Sequence, residues 1–94
     1  MNKLVEFEDF LSHYRPSIIG ITETWLHPGI ADSELGLSDY VLVRKDRITK
    51  GGGVLLAIHK SLSPLPRPQL SSENIENVWA DAKFNGIFVR FRVV

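Results

Sequence analysis

The chain has no cysteine. That excludes disulfide scaffolds and thiolate metal centres, and it permits a reducing compartment. It has no net charge either, since eleven basic residues balance eleven acidic ones. A protein that grips nucleic acid by charge alone carries a basic excess, so any nucleic-acid function here has to rest on a local site. No apolar stretch approaches the roughly 20 residues that span a bilayer. Met1–Glu8 has no apolar core behind a basic start, so it does not read as a secretory signal. The expectation is an intracellular protein of the nucleus or cytoplasm, with no membrane contact and no visible targeting signal. Repeats and low-complexity tracts are also lacking. What is present, 94 residues that are 44% hydrophobic and 23% charged, is enough for one small globular domain.

Apolar spacing predicts the elements. Leu4, Phe7, Phe10, Leu11 and Tyr14 recur at helical intervals, which predicts an amphipathic helix over residues 3–14 that Arg15-Pro16 terminates. His13, near its C-terminal end, reads as a surface or structural side chain. Residues 17–23 predict a strand whose nearly continuous apolar character suits cover on both faces. Helix followed by strand resembles one half of a βαβ unit. Residues 25–39 form a long connection with a turn at His27-Pro28-Gly29, a short helical turn near residues 30–35, and Trp25 and Leu26 as anchors. Alternation predicts a strand over 40–45, which a turn over 46–52 joins to an apolar strand over 53–59 as a hairpin. Residues 61–72, with Pro64, Pro66 and Pro68, read as irregular. Strands over 77–84 and 87–94 flank the tight turn Asn85-Gly86. The order predicts an α/β or α+β layered sheet.

Glu23 is the one residue on which chemistry can be placed. The apolar run Ile18-Ile19-Gly20-Ile21 ends at this carboxylate, between Thr22 and Thr24, and strand ends of open α/β sheets build ligand and metal sites in this way. Magnesium takes oxygen ligands, often one or two carboxylates with several waters, so Glu23 can serve as one arm of such a site. Gly51-Gly52-Gly53 lacks the Lys-Ser/Thr pair of a phosphate loop and lies between two strands. It reads as a hairpin turn with close backbone approach. Lys45, Asp46, Arg47 and Lys50 cluster at the same turn, either as a solvated tip or as phosphate contacts beside a catalytic centre. His27 and His59 have no partners at metal-ligand spacing and read as structural.

Three motifs in order carry a resemblance: Ile18-Ile19-Gly20-Ile21-Thr22-Glu23-Thr24-Trp25-Leu26, then Tyr40-x-Leu-Val-Arg44-x-Asp46-Arg47, then Gly51-Gly52-Gly53-Val54-Leu55-Leu56-Ala57-Ile58. Together with Asp32-Ser33-Glu34-Leu35 they resemble the endonuclease domain of non-LTR (LINE-type) retrotransposons. That domain belongs to the endonuclease/exonuclease/phosphatase superfamily. The resemblance covers residues 1 to about 62, and Glu76-Asn77-Val78-Trp79-Ala80-Asp81 extends it less specifically. It implies a partial four-layered α/β sandwich, here mostly one β-sheet with an N-terminal helix. It also implies a magnesium-dependent phosphodiesterase that nicks DNA, the partner of the full-length family. Glu23 matches the family's metal-binding, catalytic glutamate. Thr22 and Thr24 would support its loop, and Arg44 and Arg47 are candidate phosphate or rim contacts.

The family's asparagine on a strand before the first helix has no counterpart here, nor do its downstream Asp-x-Asn and Ser-Asp-His segments. Residues 1–94 therefore read as an incomplete domain, lacking the first strand and the C-terminal half and inactive by itself. Exposed sheet surface near Phe88, Phe91, Val93 and Val94 is expected to favour self-association. The rival reading is a non-catalytic binding or interaction module derived from that domain. A phosphoinositide or sphingomyelin phosphodiesterase is a further option, which the Thr-Glu-Thr-Trp-Leu wording opposes.

Overall fold

A computed structural model describes residues 17–46, 52–71 and 74–94. Six strands appear: β1 (Ile18–Thr22), β2 (Tyr40–Lys45), β3 (Val54–His59), β4 (Leu65–Pro66), β5 (Val78–Phe84) and β6 (Ile87–Val93). They form two three-stranded sheets, in the orders β1-β3-β2 and β4-β5-β6, and every pairing is antiparallel. Helical structure among the described residues is limited to three single 3₁₀ turns, Asp32–Leu35, Lys60–Leu62 and Pro68–Leu70.

This corrects the expected fold. The described residues are mostly β, in two small antiparallel sheets, and do not form a partial α/β sandwich built on one sheet. The expected helix over 3–14 lies outside the described residues. The βαβ expectation rests on that helix and lies outside the described residues with it, but no parallel pairing occurs among those residues. A parallel neighbour requires a crossover, usually a helix, whereas β1 lies antiparallel to β3, with Ile18 opposite Ile58 and Thr22 opposite Val54. Strands β2 and β3 form the expected hairpin, with Tyr40 opposite His59 and Lys45 opposite Val54. After β3 the chain leaves the sheet. His59 caps the next turn by accepting from the Ser61 N–H at 3.2 Å. Pro64, Pro66 and Pro68 follow, and proline cannot donate within a central strand. The second sheet therefore starts anew, with the two-residue β4 as its edge.

Burial on both faces belongs to β3 rather than β1. Val54, Leu55, Leu56, Ala57 and Ile58 are all buried, because β3 is the middle strand and is covered on each side. On one face Val54, Leu56 and Ile58 meet Val78, Ala80 and Ala82 of β5, with Phe84, Phe91 and Val93 at the margin. On the other face Leu55 and Ala57 meet Ile19, Leu35 and Leu37, with Leu26 and Ile30 beside them. The long connection over residues 25–39 is thus a lid on the first sheet. Leu26 anchors it as expected, but Trp25 remains 53% exposed.

The outer face of the second sheet holds a charged triad. Arg90 donates from Nε to Asp81 Oδ1 at 2.8 Å and from Nη2 to Oδ2 at 3.2 Å, and Arg67 Nε donates to Oδ2 at 2.8 Å. The hydrogen bond from Arg90, reinforced by that from Arg67, holds the Asp81 carboxyl down at about 2, against an ordinary 3.8. A depressed carboxyl pKa contributes stability above its unfolded value, and that contribution is lost as pH falls through the folded value. Acid titration followed by circular dichroism should therefore show stability draining away as pH drops from 3.8 to about 2. In Asp81→Asn that portion of the pH dependence should disappear. An unchanged acid profile would remove the triad as its source.

Candidate functional site

Glu23 follows directly on β1, where the chain leaves the sheet. Its φ is 54°, and that of Trp25 is 58°, both in the left-handed region that side-chain-bearing residues avoid. The surrounding backbone over-determines this conformation. The Thr24 N–H donates to Gly53 O at 3.3 Å and the Trp25 N–H donates to Gly52 O at 2.8 Å. Thr24 Oγ1 accepts from the Leu26 N–H at 3.3 Å. Gly53 has φ +93°, and a Cβ there would stand 2.4 Å from Thr24 Oγ1, closer than any real contact. The glycine run thus acts through close backbone approach, as its position between two strands implied. Gly51 lies outside the described residues.

The Glu23 carboxylate is exposed and makes no hydrogen bond or ion pair with the described residues. It lines a shallow cavity of about 230 Å³ together with Thr22, Gly53, Ile75, Glu76 and Val94. Glu76 is the second carboxylate at this cavity, and its Oε1 accepts the Gly53 N–H. Lys45 Nζ donates to Ile75 O at 2.8 Å, tying the end of β2 to the same rim. No signal in the sequence marks Glu76 as a site residue. It precedes its strand and meets Gly53 from 23 residues away, a contact that no local pattern encodes.

Arg44 is committed elsewhere. Its Nε and Nη2 donate to Asp46 at 3.0 and 2.6 Å, Nη1 donates to Asp32 at 2.9 Å, and Nη2 also reaches His27 O at 3.0 Å. With its side chain 12% exposed, it clamps β2 to the lid. Arg47, the other candidate rim contact, lies outside the described residues. His27 Nδ1 accepts the Gly29 N–H at 3.1 Å, and His59 packs edge-on against Tyr40 at 5.4 Å, so both serve local structure. Among the described residues no group of three His, Cys, Asp or Glu side chains converges as a metal cluster. The donors present suit a hydrated hard cation held at one free carboxylate, not a closed protein cage. Among the described residues no helix is long and apolar enough to cross a membrane. A comparison with protein-family models, curated proteins and solved structures finds no match.

Proposed function

We propose that the chain carries one carboxylate arm of a magnesium-dependent phosphodiester-cleaving site of the LINE-type endonuclease kind, and that it does not cleave DNA by itself. The observation that supports this reading is the presentation of Glu23: a free, exposed carboxylate at a strand end, held in a left-handed backbone at the mouth of a cavity. Backbone strain of this sort costs on the order of 1–3 kcal/mol and persists where the surroundings over-determine it, often at ligand sites. Glu23 would hold the ion, with Thr22 at the rim and Glu76 kept back by Gly53. A bound magnesium ion would supply neutralisation of charge on a phosphodiester. The residues of this chain position that one ligand. The described residues include no identified base for the attacking water.

The test has two readouts. In an NMR titration with Mn²⁺ as the probe, broadening should concentrate on Thr22, Glu23, Thr24 and Gly53 and vanish in Glu23→Gln. Incubation with supercoiled plasmid and Mg²⁺ should yield no nicking above that of Glu23→Gln. Broadening spread evenly over all surface acids would sink the metal assignment. Robust nicking that Glu23→Gln abolishes would overturn the claim of inactivity.

A further inference from the structure

Among the described residues, strand β6 is the edge of the second sheet and pairs on one side only. It is seven residues long, with no proline and with its ladder to β5 unbroken from Val78–Val93 to Phe84–Ile87. Natural edges are usually blunted by shortness, proline, a bulge or charge. Two of the other edges are: β4 has two residues and a proline, and β1 has five residues and ends at the strained Glu23, whereas the charges on β6 are engaged within its own sheet, Arg90 with Asp81 and Arg92 over the Trp79 ring. Strand β6 is also where exposed apolar side chains run consecutively, with Ile87 at 67%, Phe88 at 59% and Val89 at 40%. We infer that β6 pairs with β6 of a second copy of this chain, antiparallel about a two-fold axis through Val89, giving one continuous six-stranded sheet.

The register follows from hydrogen-bond parity and charge. Asn85-Gly86 is a two-residue turn, so the flanking pair Phe84–Ile87 exchanges hydrogen bonds. The N–H and C=O groups of Ile87, Val89, Phe91 and Val93 therefore point to β5, and those of Phe88, Arg90 and Arg92 point to the free edge. Self-pairing has to match outward-pointing residues with one another. An axis through Arg90 sets Arg90 against its own copy, and an axis through Phe91 sets Arg90 against Arg92 twice. Like charges directly opposite are destabilising. An axis through Val89 gives the longest register free of that clash. It sets Phe88 against Arg90 on one face, with Ile87 against Phe91 and Val89 against Val89 on the other. The absence of net charge leaves no general repulsion to oppose association. The two-fold uses up both copies of the edge, so assembly stops at a dimer.

The absence of cysteine makes the test clean. Paired residues that do not exchange hydrogen bonds sit with Cα atoms about 4.5 Å apart, within disulfide range. Val89→Cys should form an intermolecular disulfide under mild oxidation about tenfold faster than Leu65→Cys, an exposed position on the opposite edge. Sedimentation of the unmodified chain should show about a doubling of mass with rising concentration. In Val89→Lys, two ammonium groups meet and the chain should stay monomeric with an unchanged circular dichroism spectrum. Equal crosslinking at the two positions, a chain that is monomeric at all concentrations, or undiminished association in Val89→Lys would each overturn the inference.

Discussion

Replacing Gly53 by alanine is expected to lower stability by about 3 kcal/mol, read as a fall in the denaturant midpoint with an unchanged slope. Two costs combine. A left-handed backbone costs an alanine about 1–2 kcal/mol. The new Cβ would also stand 2.4 Å from Thr24 Oγ1. Relief of that overlap has to push Thr24 away, and Thr24 is bonded through its own N–H to Gly53 O. The same shift breaks the bond between the Gly53 N–H and Glu76. The effect should thus extend to the cavity, with amide resonances of Glu23, Thr24 and Glu76 moving together. Adding Thr24→Ala should recover the steric part and leave the backbone part, a non-additivity that a double-mutant cycle measures. A Gly53→Ala protein of native stability would mean that the close approach of these two segments is not what holds Glu23.

Leu56→Ala should be at least as damaging. Leu56 is 1% exposed and stands mid-strand in β3, between the two sheets. Truncating a fully buried leucine costs about 3–4 kcal/mol when the surroundings cannot collapse into the void. Here the opposing residues Ala80 and Ala82 are already small, so little side chain is available to fill it. Domain stabilities run to about 5–15 kcal/mol, and one kcal/mol moves the melting temperature of a domain this size by about 4–8 °C. Thermal denaturation should therefore show a drop of about 15 °C or more, or no cooperative transition at all. A shift of only a few degrees would show that the inter-sheet cluster is not the main source of stability.

Hairpins were the legible part of the fold. The alternation of Tyr40–Lys45, the apolar run after the glycines and the Asn85-Gly86 turn each encode local pairing, and the strands lie within a residue or so of where the pattern put them. The partition into two sheets was not legible. A run such as Val54–Ile58 reads alike in a parallel sheet and in the middle of an antiparallel one, because burial on both faces is all that the pattern reports. Likewise the isoleucines of β1 do not state which neighbour they pair with or in which direction. Of the candidate site, Glu23 at a strand end was readable. Its left-handed backbone and its neighbour Glu76 were not, since both arise from contacts with Gly52, Gly53 and the segment before β5. Arg44 illustrates the same limit. The resemblance implied a phosphate or rim contact for it, but the approach of Asp32 and Asp46 satisfies its guanidinium within the chain.

The antiparallel placement of β1 also orders events in time. Ile18 pairs with Ile58, forty residues on, whereas Phe84 pairs with Ile87 across a two-residue turn. Closing a longer loop costs more entropy before any contact compensates for it, so distant pairings form late. The two hairpins, β2–β3 and β5–β6, can assemble first and bury one face of β3 between them. Strand β1 then joins a sheet already made, and by the same logic it is the cheapest strand to release. Glu23 hangs from its far end. The carboxylate is brought beside Gly53 at the last step of folding and leaves at the first step of opening, while the inter-sheet cluster stays intact.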